Sequence, residues 1–337
     1  MALPLDLPLV WTAIIAFGVA MYIIMDGFDL GVGILFPYAG AEEHRDVMMD
    51  SIAPVWDGNE TWLVLGGAGL FGAFPLAYAT VLPALYVPLI LFLVALVFRG
   101  IAFEFRHRAD TSRSAWNLSF AAGSTLAAFA QGLVLGSFVQ GLPIEDGKFV
   151  GDALSFLTPF SVFTGLALVV GYGLLGATWL IRKTEGDLQA RAFGWARILA
   201  IALLAAIVVV SMWTPLMQEE IALRWFSLPN LLLLSPIPIL TAFYGLGLLL
   251  ALKARREKSP FLFAIGLFLL AYLGLAVSLW PYIVPRAYTI AEAAAPPETQ
   301  GFLLVGVVLF IPLILTYTVI VYRVFRGKVR HGEGYHH

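Results

Sequence analysis

The residues whose types and spacing could do chemistry are a few charged side chains within the first 110 residues of an otherwise apolar chain. They are two acidic pairs, one arginine and one further glutamate: Asp26 and Asp29, Asp57 and Glu60, Arg99, and Glu104. Each acidic pair is spaced i and i+3, which places both carboxylates on one face of a helix. Charges inside membrane helices cost about 2.5–3.5 kcal/mol each and mark proton or ion pathways. Carboxylates and an arginine at one depth shift one another's proton affinity, so the set can carry protons.

The composition determines what must position these side chains. The chain has 337 residues, of which 60% are hydrophobic and 12% charged, and its mean hydropathy is +0.88. Soluble domains carry roughly 25% charged residues, so lipid must cover most of this surface. The net charge is −2 and the basic residues form no stripe, which excludes a nucleic-acid-binding protein. Met1–Val10 contains no Lys or Arg, so the first apolar stretch is expected to be retained as a span.

Stretches of about 20 apolar residues predict an all-α integral membrane protein with nine transmembrane helices. The predicted spans are Leu7–Phe36, Ala53–Phe74, Ala77–Arg99, Trp116–Phe138, Pro159–Arg182, Gly194–Trp213, Leu231–Leu252, Ser259–Tyr282 and Gly301–Val321. The sequence Phe74-Pro75 predicts a very short turn between the second and third spans. Pro236 and Pro238 are expected in the first turns of the seventh span, where missing amides matter least.

The basic residues predict the orientation of these spans. Segments that follow odd-numbered spans hold 17 of the 20 Lys and Arg residues. The other segments hold only Lys148, Arg224 and Arg286. Because basic residues concentrate on the cytoplasmic side, we expect the N-terminus to be periplasmic and the C-terminus cytoplasmic.

Metal and cofactor ligands are scarce. The chain has no cysteine, which removes disulfides, iron–sulfur clusters and thiolate-ligated haem. The histidines are His44, His107, His331, His336 and His337, and none lies in a predicted span. Met21 and Met25 are expected to be packing residues. The sequence therefore predicts no metal site, no haem ligand and no catalytic residue in this chain.

Two further patterns concern helix packing and the outer surface. Glycine-rich positions within spans, such as Gly27 with Gly31 and Gly171 with Gly176, favour close helix contact. Gln218–Ser227 is compatible with a short interfacial helix or with an ordinary loop that carries an aromatic anchor.

Three charged segments resemble a known family. They are Asp26-Gly27-Phe28-Asp29-Leu30-Gly31-Val32-Gly33, Ser51-Ile52-Ala53-Pro54-Val55-Trp56-Asp57-Gly58-Asn59-Glu60-Thr61-Trp62-Leu63 and Phe98-Arg99-Gly100-Ile101-Ala102-Phe103-Glu104-Phe105-Arg106. In this order they resemble subunit II of the cytochrome bd-type ubiquinol oxidases, including the cyanide-insensitive branch. The resemblance is specific in the first 110 residues and extends to the whole chain in length and number of spans.

The resemblance implies two four-helix bundles plus a peripheral helix. The expected division is residues 1–145 for the first bundle with the charged motifs, 155–285 for the second, 300–325 for the peripheral transmembrane helix, and 326–337 for a cytoplasmic tail. It also implies a heterodimer in a bacterial inner membrane. The partner, subunit I, would ligate b- and d-type haems, or only b-type haems, and would oxidise quinol to reduce oxygen to water. Some family members hold a ubiquinone in subunit II, and small accessory subunits are left open.

The resemblance further implies that this subunit supplies part of a proton uptake path from the cytoplasm. By motif match, Asp57 is the first candidate for that path, followed by Asp26, Asp29, Arg99 and Glu104. The family commonly has Gln at the position of Glu60, which ranks Glu60 lower, and Asp at the position of Glu104.

Two other functions are compatible with the residues. A proton-coupled secondary transporter would use the carboxylates for substrate coupling, although transporters favour broken helices and sites at mid-membrane. An assembly scaffold would use them only to hold helices together.

Overall fold

The computed structural model describes residues 6–109, 111–145, 147–330 and 332. His331, His336, His337 and most of the predicted tail lie outside the described residues. The helices are α1 Leu7–Leu35, α2 Glu42–Asp50, α3 Trp56–Ala73, α4 Pro75–Ala84, α5 Tyr86–Arg106, α6 Arg113–Gln140, α7 Pro159–Lys183, α8 Gly186–Met217, α9 Glu219–Phe226, α10 Asn230–Leu234, α11 Pro236–Lys253, α12 Ser259–Leu279 and α13 Pro297–Val324. Two hairpins of short strands, β1 Ile144–Glu145 with β2 Lys148–Phe149 and β3 Tyr282–Val284 with β4 Tyr288–Thr289, lie in the loops.

The described residues form an all-α membrane protein, as predicted. Eight of the described helical segments are long and apolar enough to cross a membrane, and the pair α3 and α4, bent by 120°, makes a ninth when it is counted as one span. We call α1, α3, α5 and α6 the first helix group and α7, α8, α11 and α12 the second; α1 and α6 of the first group both pack against α7 of the second. The last helix, α13, lies outside both groups and contacts α3 and α1.

The predicted third span was wrong in its limits. Ala77–Arg99 begins inside α4, whereas the membrane-spanning helix is α5, Tyr86–Arg106. Leu85 separates the two helices with φ −120° and ψ 20°, and Pro88 cannot donate the amide hydrogen bond that would join them. The predicted turn at Phe74-Pro75 is confirmed, because α3 and α4 are bent there by 120°.

Other local predictions agree with the structure. Pro236 is the first residue of α11, so Pro236 and Pro238 lie in its first turn, as expected. The segment Gln218–Ser227, for which a short helix and an ordinary loop were both compatible with the sequence, is helical over Glu219–Phe226. The structure places it beside α12, where the Trp225 indole donates a hydrogen bond to Ser278.

The two helix groups meet where α1 and α7 cross at glycine. A Cβ placed on Gly31 would lie 1.9 Å from the carbonyl oxygen of Tyr172, and a Cβ on Gly176 would lie 2.2 Å from the carbonyl carbon of Gly31. Only glycine permits such an approach of two backbones. One continuous core of buried apolar residues therefore runs through both groups.

Most basic residues lie at one end of the helices, which we call the basic end. It contains the end of α1, the helix α2, the beginning of α3 and the ends of α5 and α7. The opposite end carries the two strand hairpins and α9.

Candidate functional site

An ion-paired group, the Arg99 cluster, lies inside the first helix group and consists of Arg99, Asp26 and Glu60. Nη1 of Arg99 lies 3.0 Å from Oδ1 of Asp26 and 2.5 Å from Oε1 of Glu60. The side chains of Asp26 and Arg99 are 0% and 1% exposed, whereas that of Glu60 is 28% exposed. The cluster thus joins a fully buried carboxylate to one that still reaches the surface of this chain.

The local sequence explains why these three helices present charge at one depth. At 1.5 Å per residue, Asp26 lies roughly 14 Å from the end of α1, Glu60 roughly 6 Å from the start of α3, and Arg99 roughly 10 Å from the end of α5. All three positions therefore fall in the half of the helices nearest the basic end. The guanidinium of Arg99 also lies 5.7 Å from the centre of the Trp56 ring, which supports its position by a cation–π contact.

A second polar group, the Asp29 branch, adjoins this cluster and consists of Asp29, Asn59 and Tyr322. Nδ2 of Asn59 donates to Oδ2 of Asp29 at 2.7 Å, and the Tyr322 hydroxyl lies 3.0 Å from Oδ1 of Asn59. Asp29 is fully buried, and Asn59 is 2% exposed. Asp26 and Asp29 are one helical turn apart on α1, so the branch is continuous with the Arg99 cluster.

Several polar atoms in these two groups have hydrogen-bonding capacity that no described residue uses. They are Nε and Nη2 of Arg99 and Oδ1 of Asp29. Burying an unused donor or acceptor costs about 1–3 kcal/mol, so such atoms are uncommon outside functional sites. They are also the kind of group that binds ordered water inside a protein.

The structure separates the remaining predicted residues from this buried core. Asp57 and Glu104 are both exposed on the surface of this chain. They lie on neighbouring helices, because the ring of Trp56 on α3 packs 5.0 Å from that of Phe103 on α5. Asp57 is also one helical turn from Glu60, so the exposed and buried carboxylates form one series.

Sequence reasoning did not single out Asn59 or Tyr322, and the structure places Glu60, the candidate it ranked lower, in contact with Arg99. Asn59 lies between Asp57 and Glu60 in the second motif, and a polar amide so close to buried charge is itself a signal. Tyr322 gives no such signal, because a tyrosine near the end of a membrane helix is ordinary. Its contact with Asn59 spans 263 positions and depends on the tertiary fold.

A third charged group, the Arg106 clasp, lies nearer the basic end and consists of Arg106, Glu42, Asp46, Arg113 and Asn117. Arg106 is fully buried and donates to Asp46 at 2.6 Å and to Glu42 at 2.9 Å. Its Nε donates to Oδ1 of Asn117, and Arg113 also pairs with Asp46. The clasp holds the short helix α2 against the end of α5 and the beginning of α6.

The clasp also sets the proton affinity of its acids. Burial alone would raise the pKa of Asp46, but hydrogen bonds and charge from Arg106 and Arg113 outweigh it and hold the pKa below its ordinary 3.8. For Glu42 burial likewise acts upward, and contacts with Arg45, Asn117 and Arg106 bring the pKa below its ordinary 4.5.

The two histidines among the described residues both lie outside the membrane-spanning helices. His44 lies on α2 with Nδ1 3.0 Å from the carbonyl oxygen of Ala39, and His107 follows α5 at the basic end. Met25 is buried in the apolar core, as expected for a packing residue. Among the described residues, no group of three or more His, Cys, Asp or Glu could hold a metal ion.

A sequence comparison identifies the family to which these charged motifs belong. The profile of the family described as Cytochrome bd terminal oxidase subunit II matches residues 7–325. The chain belongs to this family. The resemblance based on the three charged motifs is thereby confirmed.

Relatives of the subunit II family match along nearly the whole chain. Cytochrome bd-I ubiquinol oxidase subunit 2 of Escherichia coli is 28% identical and covers 95% of this chain and 94% of its own length. A probable cytochrome oxidase subunit 2 of Haemophilus influenzae is 29% identical with the same coverage. Cytochrome bd ubiquinol oxidase subunit 2 of Bacillus subtilis is 27% identical over 96% of this chain and 97% of its own length.

A solved structure shares the fold of this subunit II family member. A chain of the bd oxidase from Geobacillus thermodenitrificans superposes with a TM-score of 0.77 and 19% sequence identity. The match covers 95% of this chain and 99% of that chain. This superposition confirms the predicted fold class.

Proposed function

We propose that this chain is the non-haem-ligating subunit of a terminal quinol oxidase and that it carries protons from the cytoplasm toward the site of oxygen reduction. The observation that supports this most directly is the Arg99 cluster, in which a buried carboxylate is joined through an arginine to a partly exposed one. Reduction of oxygen to water consumes protons, so such an oxidase needs a protonatable route through its membrane part.

The route would begin at the basic end. Asp57 and Glu104, which are exposed on this chain, would receive protons, and Glu60 would pass them to the buried groups. Arg99 would lower the energy of a negative charge on Asp26 or Asp29, which makes each able to hold and release a proton in turn. The unused hydrogen-bonding atoms of Arg99 and Asp29 support a hydrated route.

The haem chemistry would take place in the partner. The spans of this chain contain no histidine, so its residues do not fit a haem. A homologous subunit I would ligate b- and d-type haems, or only b-type haems, and would oxidise the quinol. The exposed carboxylates Asp57 and Glu104 would then face that subunit within a heterodimer in the bacterial inner membrane.

The first test is purification of the chain in mild detergent with whatever membrane partner accompanies it. A reduced-minus-oxidised spectrum with haem signals, together with quinol-dependent oxygen consumption, would support the proposal. A stable colourless chain without a partner would refute it and would favour a proton-coupled transporter.

The second test examines the proton route in the intact oxidase. We expect Asp26→Asn and Asp57→Asn to lower turnover at least about tenfold while the haem spectrum stays unchanged. Asp152→Asn, in the loop at the opposite end, is the matched control and should turn over normally. Loss of haem in the Asp26 and Asp57 variants would instead indicate a scaffold role, and normal turnover in both would exclude the proton role.

The orientation follows from the same proposal and can be measured because the chain has no cysteine. Glu43→Cys lies at the basic end and Lys148→Cys in the hairpin at the opposite end, and both positions are exposed. In intact cells a membrane-impermeant thiol reagent should label Lys148→Cys and spare Glu43→Cys. The reverse pattern would place the basic end outside the cell.

A further inference from the structure

Tyr322, near the end of the last helix, reaches the buried polar groups of the first helix group. Its hydroxyl lies 3.0 Å from Oδ1 of Asn59, while Nδ2 of the same amide donates to Asp29 at 2.7 Å and to the carbonyl oxygen of Met25 at 3.3 Å. Asn59 therefore connects α13 to both a side chain and the backbone of α1.

The partners of Asn59 determine which way its amide faces. The carbonyl oxygen of Met25 can only accept a hydrogen bond, so the amide nitrogen must point toward α1. The amide oxygen then points toward Tyr322, whose hydroxyl must donate to it. The result is a one-way series in which Tyr322 donates to Asn59 and Asn59 donates to Asp29.

The position of Tyr322 is itself well defined. Its ring makes edge contacts with Phe28 and Trp179, with centroids 6.4 Å and 6.2 Å away. Immediately beyond it, the buried ammonium of Lys183 donates to the carbonyl oxygens of Phe325 and Gly327. Nζ of Lys328 also lies 3.0 Å from Oε2 of Glu257.

The rest of α13 contacts α3 and α1 through apolar side chains, such as Ile314, Leu315 and Val321. The most apolar 18-residue window of α13 has no buried residue. At the opposite end, the Trp11 indole donates to the carbonyl oxygen of Gln300 at 3.1 Å. Among the described contacts, the Tyr322 hydroxyl provides the hydrogen bond from this helix to the buried polar groups.

From these contacts we infer that Tyr322 is a positioning residue for the proton route: by holding the Asn59 amide, it keeps Asp29 as the acceptor of a hydrogen bond. This inference rests on the proposed function, because it assigns a role within that route. The charged and titratable groups that face Asp29 are Asp26 on its own helix, Glu60 on α3, Arg99 on α5 and Tyr322 itself. Tyr22 on α1 and Tyr172 on α7 interact with Asp26. Of these, only Tyr322 acts through Asn59.

The test uses the intact two-subunit oxidase with Tyr322→Phe, which keeps the ring contacts and removes the hydroxyl. Tyr317→Phe is the matched control, because Tyr317 lies on the same helix and is 60% exposed. We expect Tyr322→Phe to lower turnover about threefold to tenfold with an unchanged haem spectrum, and to alter the pH profile of turnover. Tyr317→Phe should match the wild type in all three measurements.

A double-mutant cycle separates positioning through Asn59 from a merely structural effect. In an Asn59→Ala background, Tyr322→Phe should have no further effect on turnover or on its pH profile, because the amide it held is gone. Additive effects in the cycle, or a Tyr322→Phe enzyme that behaves like the control, would overturn the inference. If Asn59→Ala fails to assemble, Asn59→Ser serves as the second background.

The outcome for Asp29→Asn distinguishes this inference from the proposed function. If Asp29→Asn impairs turnover and Tyr322→Phe does not, the inference is wrong and the proton route stands. If Asp29→Asn turns over as the wild type does, Asp29 carries no proton that turnover requires, and both its place in the route and the role of Tyr322 are wrong.

Discussion

Nη1 of Arg99 and Oδ1 of Asp26 lie 3.0 Å apart, and neither side chain is more than 1% exposed. Two opposite charges so far from solvent are stable only as a pair, because each alone would suffer an uncompensated desolvation penalty. Glu60, on the same nitrogen of Arg99, extends the pair toward the surface. Stability and the proposed proton transfer would therefore depend on the same three side chains.

Replacement of Arg99 should consequently be among the most damaging single changes in the chain. Arg99→Gln leaves Asp26 buried without its counter-charge, and loss of one partner from a buried pair costs about 3–5 kcal/mol. We expect a lower yield of assembled oxidase and a lower thermal midpoint. Arg182→Gln removes an exposed arginine at the basic end and should change neither. Equal midpoints for the two variants would contradict the pairing described here.

The Arg106 clasp predicts a specific acid lability. Because the pKa values of Glu42 and Asp46 are lowered on folding, their charged forms stabilise the folded state above their ordinary values of 4.5 and 3.8. That contribution is lost as the pH falls through the lowered values. We expect the thermal midpoint to fall between about pH 5 and about pH 3, and the fall to be smaller in a Glu42→Gln, Asp46→Asn double variant.

The control for this prediction is Glu43→Gln, an exposed neighbour of Glu42 on the same helix. It should keep the full acid response. The Glu42 side chain is 46% exposed, so solvent screens its share and Asp46, at 21%, should dominate the effect. An unchanged acid response in the double variant would show that the clasp does not govern acid stability.

The glycine contact between α1 and α7 should tolerate no side chain. A methyl carbon at Gly31 would lie 1.9 Å from the Tyr172 carbonyl oxygen, much closer than van der Waals contact allows, so α1 and α7 would have to separate. Overpacking of this kind costs about 1–3 kcal/mol or more. We expect Gly31→Ala to abolish or strongly reduce assembly, measured as haem recovered per cell. Gly194→Ala on α8, where the added methyl meets nothing within 4 Å, should assemble normally.

Lys183 predicts how firmly the segment after α13 is held. Lys183 is 5% exposed, and its ammonium donates to the carbonyl oxygens of Phe325 and Gly327. The backbone amide of Val329 in turn donates to the carbonyl oxygen of Lys183. Lys183→Met should release this segment, so that trypsin cleaves after Arg326 and Lys328 several times faster than in the wild type. Lys258→Met removes one exposed lysine and is the matched control. Equal cleavage rates in both variants would show that Lys183 does not hold the segment.

Comparison of sequence and structure shows which physical signals are local. The spans were predictable because each is a long apolar run, and Asp26 was conspicuous because it interrupts one. The limits of the third span were not predictable, because the stretch that contains Pro83 and Pro88 stays apolar across the break at Leu85. Hydropathy alone does not detect a missing backbone hydrogen bond.

The site was predictable as a set of residues but not as a connected arrangement. The motifs identified Asp26, Asp29, Glu60 and Arg99, which the structure brings together, as well as Asp57, which it places on the surface. Burial depends on which face of α3 meets α1, and no local pattern specifies that. The part played by Tyr322 is less visible still, since it requires the end of the chain to return to its beginning.

The contact of Gly31 with the backbone of α7 also restricts how the protein can move. Alternating-access carriers work by rocking one bundle against another about a central site. Here the two helix groups share one core, and their backbones touch where α1 and α7 cross. A relative rotation of the groups would first have to break this contact. Such a molecule is suited to relaying a proton between fixed groups, which requires shifts no larger than the length of a hydrogen bond, and poorly suited to carrying a solute across the membrane.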